Sequence, residues 1–137
     1  MRHFESISTL ITVQPNGVIV YRVKPDWNEP DTAEVALDAA NTLKKAVNGN
    51  ICGILTYAPS LYIKKEVLEA FSTVNIGHIA DAIVVKSVGS KIFANFVLKF
   101  VKTPTIKKVF TNSEKAEKWL LEQVALAKKN AQSTLSQ

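Results

Sequence analysis

The chain has a single cysteine, Cys52. This excludes an internal disulfide and leads us to expect a reducing, cytoplasmic setting. Cys52 lies in the apolar run Ile51-Cys52-Gly53-Ile54-Leu55, where it reads as a small buried hydrophobe rather than a reactive thiol. Glycine is sparse as well. The five glycines are scattered, and none forms the glycine-rich strand-to-helix turn that cradles a phosphate. The two histidines, His3 and His78, have no metal-ligand spacing between them. Arginine occurs only as Arg2 and Arg22, which argues against nucleic acid, because single-strand binders rely on aromatic platforms and often on arginine. No stretch approaches the roughly 18 unbroken apolar residues of a membrane span, and the first residues lack the apolar core of a signal peptide. We therefore expect no catalytic residue, no cofactor, no metal, and a non-enzymatic protein.

Acidic residues are also missing from one long region. Lysines and arginines outnumber acids by 17 − 12 = +5, yet no acid falls between Asp81 and Glu114. Lys86, Lys91, Lys99, Lys102, Lys107 and Lys108 all lie there. A field of that sign attracts anionic partners, although a lysine face can also serve only solubility. Within it, Ile92, Phe93, Phe96 and Phe100 follow helical spacing on one side, with Lys91, Lys99 and Lys102 on the other. We expect the phenylalanines and Ile92 to face inward. The three lysines would then form an exposed basic strip.

The remaining pattern is an alternation of strands and helices. A strand over Ile7 to Val13, the turn Gln14-Pro15-Asn16-Gly17 and the β-branched run Val18 to Val23 predict an antiparallel hairpin. Pro25 and Pro30 bracket a link whose Trp27 reads as a lid on the core. Asp31 is placed to cap a helix, with Glu34 as its capping-box partner. Ala36, Ala39, Ala40, Leu43 and Val47 give that helix a stripe of mostly small residues, and Asn48-Gly49 ends it. Ile51 to Thr56 has the continuous apolarity of a central parallel strand. A short helix over Lys64 to Thr73 follows. Then come the strand Ala80 to Lys86, the capped helix Ser90 to Lys102, a strand ending at Val109-Phe110, and a last helix turning Ala116, Trp119, Leu120 and Val124 inward. The fold class is α/β: a mixed five-stranded sheet, N-terminal hairpin then parallel βα units, with about four helices. One domain over residues 1–127 and a polar, frayed tail over 128–137 are expected.

Ligands of open α/β sheets gather at the carboxyl ends of the strands. The loop leaving the central strand, Tyr57 to Tyr62, is therefore the candidate interaction site. It offers Tyr57, Ser60 and Tyr62, followed by Lys64 and Lys65 at the start of a helix, where anions are favoured.

The element order resembles that of the STAS domains, relatives of bacterial anti-sigma-factor antagonists, and especially their small SpoIIAA-like branch. The segments that carry the resemblance are Lys64-Lys65-Glu66, Ala82-Ile83-Val84-Val85, Ser90 to Phe96, Lys102-Thr103-Pro104, Val109-Phe110-Thr111 and Ala116-Glu117-Lys118-Trp119-Leu120. It implies a regulatory module that binds another protein and leaves a homodimer open. A related architecture, that of CRAL-TRIO domains, would instead imply a lipid or small hydrophobic anion as ligand. The STAS phospho-switch places an Asp and a hydroxyl after the central strand. Lys64 and Lys65 stand there in this chain, so the switch is not expected.

Overall fold

The computed structural model describes residues 1–57, 64–92 and 105–135. Six strands form one sheet: β1 (Arg2–Glu5), β2 (Thr9–Val13), β3 (Ile19–Val23), β4 (Gly53–Tyr57), β5 (Ala80–Val84) and β6 (Ile106–Phe110). Spatial order follows chain order. The first three strands pair antiparallel, and β3 to β6 pair parallel. The expected pairing of Ile51–Thr56 with Ala82–Val85 is present, with Leu55 opposite Ala82 and Thr56 opposite Ile83. The helices are α1 (Ala33–Val47), α2 (Lys65–Ser72), α3, helical over the described residues 88–92, and α4 (Ser113–Leu135).

The sixth strand is β1, which the sequence reading left out. It is short, and Phe4 is the one large apolar residue in it. As an edge strand it buries little, so its pattern is faint. The β2–β3 turn forms as expected. Gly17 takes a φ of 88°, its N–H donates to the Gln14 carbonyl, and Gln14 N–H donates to the Val18 carbonyl.

Two layers of core flank the sheet. On one face α1 and α2 cover Ile11, Ile19 and Ile54 with Ala40, Leu43, Ala46 and Val47. The small-residue stripe of α1 is buried throughout, which lets the helix approach the strands closely. Its N-cap is Thr32, one residue later than expected, and the Thr32 hydroxyl accepts from Val35 N–H. Asn48 and Gly49 both adopt positive φ at the other end. On the opposite face α4 lays Ala116 and Leu120 on Val18, Val20, Leu55, Ala80 and Ala82. Gly53 makes this possible. A Cβ there would sit 2.6 Å from Leu120 Cδ2, and Leu120 is fully buried with little room to move.

Helix α4 runs to Leu135, through residues expected to form a frayed tail. Ala127, Lys128, Lys129 and Ala131 are strong helix formers, and they extend the helix beyond Leu120, its last fully buried residue among those described.

Candidate functional site

The alternation of β-strands places one row of side chains across the sheet at its carboxyl end. Leu10 pairs with Arg22. Arg22 follows the Tyr21–Thr56 pair and so stands beside Tyr57. Tyr57 pairs with Val84, and Val84 with Phe110. All point to the α4 face, since Tyr57, Val84 and Phe110 pack against the core under that helix. The Arg22 guanidinium lies 4.1 Å from the centre of the Tyr57 ring. Lys108 Nζ lies 5.5 Å from that of Phe110. The Phe110 and Trp119 rings are 5.7 Å apart and inclined at 51°.

The row is aromatic and half-buried, with exposed cations over two of its rings. Among the described residues neither Arg22 nor Lys108 has an ion-pair partner. Each cation is held by the negative face of a ring and keeps donors free for an incoming group. Among the described residues, the row from Leu10 to Phe110 holds no histidine or carboxylate.

Of the residues proposed from sequence, Tyr57 belongs to this row. Lys64 and Lys65 are exposed at the start of α2, where Lys65 pairs with Glu69 at 3.7 Å. Ser60 and Tyr62 lie outside the described residues. Arg22 was missed. The signal was available, because a polar residue in a β-branched strand, at a position pointing away from the Tyr21 side, must face an open part of the sheet.

The structure corrects two expectations for the acid-poor stretch between Asp81 and Glu114. Ile92, expected to face inward, is 68% exposed, whereas Lys91 is half-buried. Helix α3 begins at residue 88, earlier than Ser90, with Ser87 as its cap through a hydrogen bond from Ser90 N–H. Its first turn thus stands past the end of β5, where the sheet no longer covers an apolar side chain. Lys99, Lys102, Phe93, Phe96 and Phe100 lie outside the described residues. The second correction is Lys107. It is half-buried and donates to Asp81 Oδ2 at 2.5 Å. The stretch that lacks acids along the chain meets one across the β5–β6 pair.

Asp81 anchors a second polar group, at the amino end of β5. Its carboxylate accepts from His78 Nε2 at 2.8 Å, from Lys107 Nζ and from the Thr105 hydroxyl at 3.2 Å. Burial opposes its ionisation, but the hydrogen bonds and charges of His78 and Lys107 outweigh that, and its pKa lies below the usual aspartate value. The carboxylate is saturated by three donors, and the His78 and Asp81 side chains are only 10% and 13% accessible, while His78 Nδ1 is buried with no hydrogen-bond partner among the described residues. His78 thus braces the Asp81 carboxylate. An aspartate between Ala80 and Ala82 in an apolar strand was the available signal, since a charge there must find partners.

Cys52 is buried, and burial pushes its thiol up to about 11. Tyr21, half-buried with its hydroxyl bonded to Thr9, is pushed up to about 12 by desolvation and by the charge of Asp31. Neither is poised to react. Among the described residues no three His, Cys, Asp or Glu side chains gather as metal ligands, and no helix is long and apolar enough to cross a membrane.

A family model described as a domain of unknown function, DUF7793, matches residues 12–124. The chain belongs to that family. No curated protein and no solved structure matches it. The matched segment begins within β2, and so covers the hairpin's inner strand, the parallel sheet and the part of α4 that packs on it.

Proposed function

We propose that this domain is a non-enzymatic, cytoplasmic interaction module of the STAS type, similar to the SpoIIAA-like branch, and that it docks another protein at the carboxyl end of its sheet. The observation that carries the reading is the row Arg22, Tyr57, Phe110 and Trp119, with Lys108. Tyrosine, tryptophan and arginine are the residues that dominate the energetics of protein interfaces. Here they are half-exposed, preorganised by one another, and placed where open α/β sheets collect their partners. The uncompensated cations favour a partner with acidic groups. The row also adjoins the Tyr57 end of the loop in which STAS domains carry their regulatory hydroxyl. With Lys64 and Lys65 in the family's motif positions, regulation by phosphorylation is not part of the proposal.

The test is capture of a partner from the native cell by the full chain, repeated with Arg22→Glu plus Tyr57→Ala and with Lys44→Glu as a control remote from the row. A protein retained by wild type and control but lost with the double variant supports the reading. Equal retention by all three refutes the site. Native mass spectrometry of the purified chain separates the rival function, since a copurifying lipid would indicate a CRAL-TRIO-like binder instead.

A further inference from the structure

The two edges of the sheet are finished differently. At one, β6 carries Lys107 and Lys108, and lysine on an edge strand discourages a further strand from adding to it. At the other, β1 has neither lysine nor proline. Among the described residues β1 pairs only with β2, and it lies before the segment 12–124 that the family model matches.

The phase of the hydrogen bonds along β1 follows from its turn. Ser6 N–H donates to the Thr9 carbonyl, and this pair continues the register in which Phe4 faces Ile11 and Arg2 faces Val13. Hydrogen-bonded and non-hydrogen-bonded pairs alternate along an antiparallel ladder. Arg2 and Phe4 therefore bond to β2, while His3 and Glu5 turn their N–H and C=O groups to the open edge. The His3 and Glu5 side chains share the face of their partners Thr12 and Leu10. Phe4 lies on the other face, against the core under α1.

A second β1 laid antiparallel along this edge matches it when Phe4 stands on the two-fold axis. His3 of each copy then lies opposite Glu5 of the other, a basic side chain against an acidic one. Each of these pairs exchanges two backbone hydrogen bonds, four in all. The His3 ring contacts Thr12 Oγ1 through Nδ1 at 3.3 Å, which leaves Nε2 for the carboxylate. Glu5 also touches Lys24, but its side chain stays 65% accessible. The two Phe4 rings meet on the other face, where the backbones of a non-hydrogen-bonded pair come closest. The exposed Met1 of one copy is carried toward the exposed Ile7 of the other. The neighbouring register that the pleat permits, with His3 on the axis, sets His3 against His3 and leaves Glu5 opposite a residue outside the strand.

We propose that β1 is a self-association edge, whose occupant is β1 of a second copy in the register centred on Phe4, so that two six-stranded sheets become one continuous sheet. Such an isologous contact is the commonest way that soluble chains pair. The seam is short, so the dimer exchanges with monomer rather than being obligate. It uses neither Arg22 nor Tyr57 and stands or falls apart from the row they form.

Sedimentation of the full chain over a concentration series, combined with disulfide capture, tests this. Wild type should shift from monomer to dimer as concentration rises. His3→Pro keeps every bond to β2, because the His3 N–H faces outward, and proline is tolerated on an edge strand. It removes two of the four bonds of the seam, and should weaken association by about tenfold to a hundredfold with the far-ultraviolet circular dichroism unchanged. Phe4→Cys places two sulfurs at the axis within disulfide reach and should give a covalent dimer under mild oxidation, whereas His3→Cys should not. The native Cys52 is buried and does not compete. A wild-type chain that stays monomeric at high concentration overturns the proposal. So does a dimer indifferent to His3→Pro, or one captured through position 3 rather than position 4.

Discussion

The two ends of the parallel sheet hold charged groups in opposite ways. At the amino end, Asp81 is surrounded by His78, Thr105 and Lys107, and every carboxylate oxygen has a donor. At the carboxyl end, Arg22 and Lys108 rest on aromatic rings, with no ion-pair partner among the described residues. A saturated carboxylate of the first kind stabilises the fold. An open group of the second kind adds little to stability and leaves capacity for a partner. Charge alone would not separate them, because lysine takes part in both.

Substitutions should sort along that division. The largest loss is expected from Lys107→Ala, which would leave Asp81 largely buried beside only His78 and a hydroxyl. Removing one member of a buried pair costs about 3–5 kcal/mol. Some solvent reaches this one, with 13% and 19% of the two side chains accessible, so about 2–4 kcal/mol is expected in urea unfolding. Leu120→Ala should cost a similar amount, about 2–4 kcal/mol, through the cavity left above Gly53. Gly53→Ala should cost about 1–3 kcal/mol by overpacking against Leu120. The combination Gly53→Ala with Leu120→Ala should lose less than the sum of the two, because the shorter side chain vacates the space that the new methyl needs. The smallest effect on stability belongs to Tyr57→Ala, expected at about 1 kcal/mol because the ring is only half-buried, together with a marked loss of partner binding.

Acid should act at the amino end only. The folded Asp81 carboxyl titrates below its ordinary range, so the folded state binds fewer protons there than the unfolded chain. Its contribution is complete above the unfolded value of about 3.9. It is lost as pH falls through the lower folded value. Asp81→Asn should therefore flatten the acid limb of a stability–pH profile, whereas Arg22→Gln should leave its shape unchanged.

Most of the architecture was legible because it rests on local pattern. The apolar run of β4, the turn at Asn16-Gly17 and the small-residue stripe of α1 each specify their element with no knowledge of the rest. The sixth strand was not legible, since four residues at an edge carry almost no periodicity. The length of α4 was misjudged because polarity was taken as fraying, although lysine and alanine favour helix regardless of burial. At the candidate site Tyr57 could be read from topology, but its stacking by Arg22 depends on register between strands more than 30 residues apart. The acid-free look of the chain between Asp81 and Glu114 misleads for the same reason. Lys107 meets Asp81 only across a parallel pair, and the inward place of Ile92 depended on where the helix begins relative to the sheet.

One comparison decides whether the two ends differ as described: the unfolding free energies of Asp81→Asn and Arg22→Gln, measured in urea at neutral pH. Each exchange removes a single charge and keeps much of the side chain's shape. The asparagine variant should lose about 2–4 kcal/mol, and the glutamine variant should stay within about 0.5 kcal/mol of wild type. Equal losses, or a larger loss from Arg22→Gln, would mean that the carboxyl-end cations are part of the fold's own support and are not held ready for a partner.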